Sequence, residues 1–79
     1  MKVRILVQLK PGVLDPQGKA VEQGLHGLGF DAEHVRVGRL IEMDLPTANA
    51  QEAETRAQAM CDRLLVNPVM ERAIIEVKK

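Results

Sequence analysis

Residues 33–45 read EHVRVGRLIEMDL, and the spacing of their apolar side chains separates two possible topologies. The glycine at position 38 favours a hairpin, which would divide the stretch into two short antiparallel strands. A turn that shifted the register by one residue would move every later apolar side chain to the other face. The apolar residues instead occupy odd-numbered positions on both sides of Gly38, so their parity does not change there. This pattern predicts one long strand over 35–45, bent at the glycine. Part of the edge of such a strand would be free to pair with another chain. The apolar residues that share this parity are Val35, Val37, Ile41, Met43 and Leu45.

Alternation also predicts a strand near each end of the chain. Residues 2–10, KVRILVQLK, alternate apolar and polar side chains, and so do residues 70–79, MERAIIEVKK. This period of two is typical of a strand with one buried face. The sequence therefore predicts three strands.

The segment between the first two strands predicts a helix with a defined start. Asp15 fits the N-cap position, because its carboxylate can accept the unpaired N–H groups of the first turn, and Pro16 has the φ angle of the first helical position. Apolar residues recur at helical spacing as far as Leu28 and a glycine follows. The first helix is predicted over 16–28, and Gly18 in its first turn indicates close packing.

A second helix is predicted after residue 46. Asn49 and Glu52 have the spacing of a capping box, and Asn67 with Pro68 ends the helix. The resulting order, β-α-β-α-β, predicts a single α+β domain over residues 1–79, with two helices covering one face of an antiparallel or mixed sheet. The apolar stripe of this helix consists of Ala53, Ala57, Met60 and Leu64.

Two glycine-containing stretches superficially suggest nucleotide binding. In PGVLDPQGKA, residues 11–20, five residues separate the glycines where a phosphate-binding loop has four, and Ala20 replaces the hydroxyl residue that follows the lysine. In GLHGLG, residues 24–29, the glycines have the wrong order and end a helix. Both stretches are interpreted as structural. Small residues on one side of the first helix should permit close approach of another backbone, most simply that of the second helix and less simply that of a partner subunit; they are Ala20, Gly24 and Gly27.

The sheet face opposite the helices is predicted to be polar apart from Leu6, Leu40 and Ile74, one from each strand. These residues are either scattered exposed side chains or a surface buried by a partner. The chain has one Phe and no Trp or Tyr, so its core is thin, and small domains of this kind are often stabilised by oligomerisation. These features favour a homo-oligomer and burial of the three residues by a partner.

Composition argues against several classes of function. Eleven basic and eleven acidic residues give a net charge of zero, which is not typical of nucleic-acid-binding proteins. The charged N-terminal strand is neither a signal peptide nor a membrane span, so we expect a soluble, cytoplasmic protein with no membrane partner. The chain contains no serine, and Cys61, His26 and His34 lack the spacing of a metal site or a catalytic group. We expect no catalytic, metal-binding or cofactor-binding residues in this chain.

Three stretches together resemble one family across nearly the whole chain. They are VLDPQGKAV at 13–21, VRVGRLIEMDL at 35–45 and MCDRLLVNPVMERAIIEV at 60–77. These stretches resemble the PurS family, the small accessory subunits of phosphoribosylformylglycinamidine synthase in purine biosynthesis. One departure is that family members often have an aromatic residue after the acidic residue of the last stretch, where this chain has Arg72 and Ala73.

The resemblance implies a ferredoxin-related, two-layer β-α-β-α-β sandwich with a long central strand shared in a homodimer or homotetramer. It also implies a non-catalytic subunit that joins a glutaminase of the PurQ type to a synthetase of the PurL type, so that ammonia passes between them, with ATP and Mg²⁺ expected in the synthetase. A stand-alone ferredoxin-like domain that binds a small regulatory molecule remains the alternative. The residues expected at interfaces are Leu6, Leu40, Ile74, Arg36 and Gly38. Those expected to have structural roles are Asp15, Pro16, Gly18, Asn67 and Pro68.

Overall fold

The computed structural model describes residues 1–78 and contains a three-stranded sheet and two α-helices. The strand order is β2-β1-β3, and β1 is antiparallel to both neighbours. A π-helical turn, Cys61–Leu65, continues the second helix. The predicted α+β class and element order are confirmed. The elements are β1 (Lys2–Leu9), α1 (Pro16–Gly27), β2 (Arg39–Asp44), α2 (Ala50–Met60) and β3 (Glu71–Lys78).

The core lies between the sheet and α2. The odd-numbered side chains of β1 point into it, and Ile5 is fully buried between its register partners Ile41 and Ile75. Helix α2 contributes small residues, which allow the helix to approach the sheet closely, and it packs over β1 and β3. The residues that form this core are Val3, Ile5, Val7, Leu45, Ala53, Ala57 and Cys61.

Both predicted helix starts are confirmed. The Asp15 carboxylate accepts the N–H of Gly18 at 2.8 Å, and Pro16 is the first residue of α1. The Asn49 side chain accepts the N–H of Glu52 at 3.1 Å. These bonds satisfy N–H groups that have no partner within the helix.

The predicted long strand differs from the structure in two respects. Strand β2 begins at Arg39 and is an edge strand, whereas the central strand is β1. Parity nevertheless continues through Gly38, because Val35 and Val37 are half-buried and Arg36 is exposed, so no hairpin divides the stretch. The segment 35–38 leaves the sheet because two carboxylates, that of the N-cap Asp15 and that of Glu22 in α1, accept the N–H groups of the two valines.

Helix α1 does not cover the sheet, contrary to the prediction. Among the described residues α1 makes no extensive contact with the sheet or with α2, and Gly18 is its only buried residue. The radius of gyration is 15.6 Å, whereas a compact domain of this length has about 12 Å. Helix α1 therefore projects from the domain, and among residues 1–78 its small residues do not make the expected close contact with α2. A Cβ atom placed at Gly24 or Gly27 would meet nothing within 4 Å.

None of the helices in residues 1–78 combines the length and apolar character needed to cross a bilayer.

Candidate assembly surfaces

Within residues 1–78 no three His, Cys, Asp or Glu side chains lie close enough to hold a metal ion. Cys61 is buried in the core, and burial, with a smaller effect of Asp62, raises the pKa of its thiol. A protonated thiol is a poor nucleophile, so Cys61 acts as a small apolar residue. His26 contacts the carbonyl oxygen of Ala32 at 2.6 Å.

One shallow cavity of about 590 Å³ lies where α1 begins. The fold brings Lys19, His34 and Arg36 to its walls, although these residues are dispersed in the sequence. Asp15 occupies the start of the helix, where an anion would otherwise bind, and its carboxylate already accepts backbone N–H groups. This arrangement supports the structural interpretation of residues 11–20.

The Asp15 carboxylate connects, through hydrogen bonds, two parts of the chain that are distant in the sequence. One oxygen accepts the N–H of Gly18, and the other accepts the N–H of Val37 at 2.8 Å. The side chain is only 5% exposed, and the Arg36 guanidinium lies 3.9 Å from it. The N–H groups of Gly18 and Val37 lower the pKa of Asp15, with a further contribution from Arg36, against the opposing effect of burial.

Glu22 makes a similar contact about two helical turns further along α1. Its carboxylate accepts the N–H of Val35 at 3.0 Å, which lowers the pKa of Glu22, and nearby His26, His34 and Lys19 act in the same direction. Segment 35–37 therefore runs back along α1, held by two carboxylates seven residues apart. The sequence analysis missed this role of Glu22. The available signal was the spacing of Asp15 and Glu22, which places two acids where they can face the alternating segment 35–37.

The glycines of these stretches allow close backbone approach. At Gly18 an added Cβ would collide with the carbonyl oxygen of Val35 and with the Asp15 carboxylate. At Gly38 it would lie 2.5 Å from the carbonyl oxygen of Val7. The structural role predicted for Gly18 is consistent with this geometry. Gly38, predicted at an interface, has a demonstrable role within the chain itself.

The open face of the sheet carries a continuous aliphatic row. Leu6 is the register partner of both Leu40 and Ile74, so the three predicted residues lie side by side. The next row is charged, because Arg4 is the register partner of Glu42 and Glu76. In this row Arg4 Nε lies 3.6 Å from Glu42. Leu40 and Ile74 are 44% and 47% exposed, so the row is a surface that another protein could bury.

Helix α1 and its flanking loops carry a second apolar surface. Leu28 is 76% exposed and Phe30 is 59% exposed at the far end of the helix, and Val21 is exposed on the helix itself. Isolated helices of this length are marginally stable in water. Residues 1–78 supply little packing for α1, so the helix presents an apolar surface that another chain could cover.

The third surface is the turn between α2 and β3. Leu64 is 84% exposed and Val69 is 79% exposed. The turn is fixed by Arg39, which makes paired contacts of 3.1 and 3.2 Å with the Glu71 carboxylate and also binds the carbonyl oxygen of Leu65. The predicted Asn67 and Pro68 lie in this turn. The Arg39–Glu71 pair was not predicted, since no sequence spacing links the two residues.

Comparison with known proteins identifies one family. The model of the family described as "PurS: Phosphoribosylformylglycinamidine (FGAM) synthase" matches residues 2–79. The chain is 44% identical over 75 residues to the phosphoribosylformylglycinamidine synthase subunit PurS of Synechocystis, which covers 94% of this chain and 75% of the relative.

Solved structures agree with this match. The PurS crystal structure from Methanocaldococcus jannaschii, described as one of the subunits of formylglycinamide ribonucleotide amidotransferase, superposes with a TM-score of 0.89 at 32% identity, covering 99% of this chain and 95% of that chain. A chain in the structure of PurLQS from Thermotoga maritima superposes with a TM-score of 0.88 at 32% identity, covering 95% and 93% respectively.

Proposed function

The chain belongs to the PurS family, and on this basis we propose that it is the small subunit of phosphoribosylformylglycinamidine synthase in purine biosynthesis. In this role it associates with a synthetase of the PurL type and a glutaminase of the PurQ type. Its own contribution is to assembly, which allows ammonia released by the glutaminase to reach the synthetase. The observation that carries the proposal is the match over residues 2–79, together with the superposition on a chain of the PurLQS structure.

The exposed surfaces support an assembly role. The Leu6, Leu40 and Ile74 row, the apolar residues of α1 and the turn at Val69 are three distinct exposed apolar surfaces on a chain of 79 residues. Apolar patches of this kind often mark protein–protein contacts.

The subunit is proposed to act as a homo-oligomer, a dimer or a tetramer. Helix α1 lacks intrachain packing, while α2 packs over β1 and β3 and leaves β2 less covered. Ile41 and Met43 on the core face of β2 are accordingly only half-buried. A second copy can supply apolar surface to both regions, and a two-fold arrangement would do so for each copy at once.

The reaction chemistry is assigned to the partner subunits. ATP and Mg²⁺ are proposed to bind the synthetase, and glutamine the glutaminase, in a cytoplasmic complex. Synthesis from free ammonia needs only the synthetase, its nucleotide substrate and ATP. Use of glutamine also requires the two active sites to be held together.

Reconstitution tests this function. The native synthetase and glutaminase are assayed for amidine formation with and without this chain, once with glutamine and once with ammonium as the nitrogen source. We expect the chain to raise the glutamine-dependent rate strongly and the ammonia-dependent rate much less. A pair of subunits that uses glutamine equally well without this chain would contradict the proposal.

A further inference from the structure

The outer edge of β2 has no strand beside it. Strand β2 pairs with β1 on one side only. The N–H of Leu45 donates to the carbonyl oxygen of Met1 at 2.8 Å, so the odd-numbered residues of β2 exchange hydrogen bonds with β1. The backbone groups of the even-numbered residues, Leu40, Glu42 and Asp44, therefore point to the open side.

This open side continues beyond β2 into the preceding segment. The N–H groups of Val35 and Val37 donate to the carboxylates of Glu22 and Asp15, and these odd-numbered residues face the same side as those of β2. Backbone N–H groups alternate in direction along an extended chain, so those of residues 36 and 38 point the other way. Among residues 1–78 these two N–H groups have no hydrogen-bond acceptor. The free edge is therefore the whole of residues 36–44.

The free edge lacks the features that usually protect a strand from pairing. Natural sheet edges are shielded by proline, by bulges or by charges that point inward. Residues 36–44 contain no proline. The one charged residue of core parity, Arg39, binds the Glu71 carboxylate on β3, so its side chain reaches across β1 and away from the edge. The edge is consequently open to another strand.

The sequence of the free edge is complementary to itself. When two copies pair antiparallel about a two-fold axis at Leu40, this residue lies opposite Leu40 of the second copy. Val37 then lies opposite Met43 of the second copy, and Arg36 lies opposite Asp44 of the second copy. Apolar pairs and opposite charges at such positions stabilise a sheet. This register also brings every outward-pointing residue of both copies into the ladder, namely Arg36, Gly38, Leu40, Glu42 and Asp44.

Neighbouring registers are less favourable. An axis at Ile41 places Leu40 opposite a carboxylate, that of Glu42, and places Arg36 opposite Pro46, which has no N–H to donate. An axis at Glu42 brings two identical carboxylates face to face, which is destabilising. The charge pattern therefore favours the axis at Leu40.

We propose that a second copy of this chain pairs with the free edge, antiparallel about a two-fold axis at Leu40. The inference rests on the homo-oligomer of the proposed function and assigns an interface to it. A two-fold arrangement pairs the same edge in both copies at once. Two three-stranded sheets then form one continuous sheet, and the aliphatic rows of the two open faces meet at Leu40. Arg36 keeps its contact with Asp15, because a guanidinium has enough donors for two carboxylates.

Disulfide cross-linking tests the register. The two Leu40 Cα atoms would lie about 5.5 Å apart, within the range of about 4.4–6.8 Å that a disulfide spans. The two Glu42 Cα atoms would lie more than about 13 Å apart. Under mild oxidation we expect Leu40→Cys to form a covalent dimer at least about tenfold faster than Glu42→Cys, because paired thiols have a high effective concentration. The wild type, whose only cysteine is the buried Cys61, measures the background.

A proline substitution tests the ladder itself. Glu42→Pro removes an N–H that points away from the sheet in one chain, which an edge strand tolerates, but which donates to the second copy in the pair. We expect Glu42→Pro to halve the oligomeric mass measured by light scattering. Glu42→Ala keeps the N–H, is the matched control and should keep the wild-type mass. Circular dichroism establishes that each variant is folded, and the cross-linking rates decide the question if Glu42→Pro unfolds.

Other results contradict the inference. In a wild type that is oligomeric, equal cross-linking of Leu40→Cys and Glu42→Cys would exclude this register and leave the proposed homo-oligomer intact. A folded Glu42→Pro variant of unchanged mass would exclude pairing through the free edge. A wild type that stays monomeric at every concentration measured would contradict the homo-oligomer, and the inference with it.

Discussion

The Asp15 carboxylate accepts the backbone N–H of Val37 at 2.8 Å, which joins the start of α1 to a segment twenty-two residues later. The same carboxylate caps α1 through Gly18. One side chain therefore fixes both the beginning of the helix and the position of the segment that returns along it. This dual contact explains why the helix begins with an Asp-Pro-x-Gly sequence without any need for a bound phosphate.

The first prediction concerns this carboxylate. Asp15→Ala removes the acceptor of two N–H groups and should lower the urea midpoint of unfolding. Asp15→Asn retains one oxygen acceptor and should have a smaller effect. Equal midpoints for the wild type and Asp15→Ala would contradict the structural role of the contact.

Stability should also fall in acid. The pKa values of Asp15 and Glu22 are lowered in the folded state, so their stabilising contribution is complete above the unfolded pKa values, about 3.9 for Asp and about 4.3 for Glu. It is lost as pH falls through the still lower folded values. Free energies of unfolding measured between about pH 6 and pH 3 should decrease, and the decrease should be shallower in the double variant Asp15→Asn, Glu22→Gln. An identical pH dependence in that variant would count against this linkage.

Two glycines should respond oppositely to alanine. Gly38→Ala places a Cβ 2.5 Å from the carbonyl oxygen of Val7 and should destabilise the fold by about 1–3 kcal/mol. Gly24→Ala enters open space within the chain and should stabilise α1 by about 1 kcal/mol through helix propensity. Thermal unfolding of the two variants side by side measures the difference. A destabilised Gly24→Ala would show that another chain packs closely against α1 under those conditions.

A charge on the aliphatic row should disrupt assembly. Leu40→Asp removes aliphatic burial worth about 1 kcal/mol from any interface on the open face. It also introduces a carboxylate that loses its hydration when the interface forms. Association, measured by light scattering and by reconstitution of the glutamine-dependent rate, should weaken. Leu40→Met, which preserves the apolar character, is the matched control and should associate normally. Unchanged association of a folded Leu40→Asp variant across a range of concentrations would place the interface elsewhere.

Local sequence patterns predicted the helices and strands well because side-chain alternation and helix capping depend on residues that are close in the sequence. The parity within Lys2–Leu9 and Glu71–Lys78 reflects which side chains face α2, and the caps at Asp15 and Asn49 depend on groups only three residues apart. Parity across Gly38 was likewise correct, since it excluded the hairpin.

The position of α1 could not be predicted in this way. The spacing of its apolar residues shows that one face of the helix is apolar. The same spacing is expected whether the surface that buries this face belongs to this chain or to another. Arg39 and Glu71 illustrate the same limit at the third surface, because their contact depends on β1 bringing β2 and β3 to its two sides. Sequence reasoning therefore identified the aliphatic row at Leu6, Leu40 and Ile74 but missed the Arg39–Glu71 pair that fixes the turn between α2 and β3.

The placement of β1 between β2 and β3 has a consequence for the order of folding. The central strand comes first in the sequence, and the strand on one of its sides comes last. During synthesis β1 can pair at first only with β2, and a two-stranded ribbon is at best marginally stable. The sheet is complete only when β3 pairs with β1, and this pairing closes a loop over residues 10–70. Folding should consequently be slow for so small a domain, because its stabilising contacts join residues far apart in the sequence.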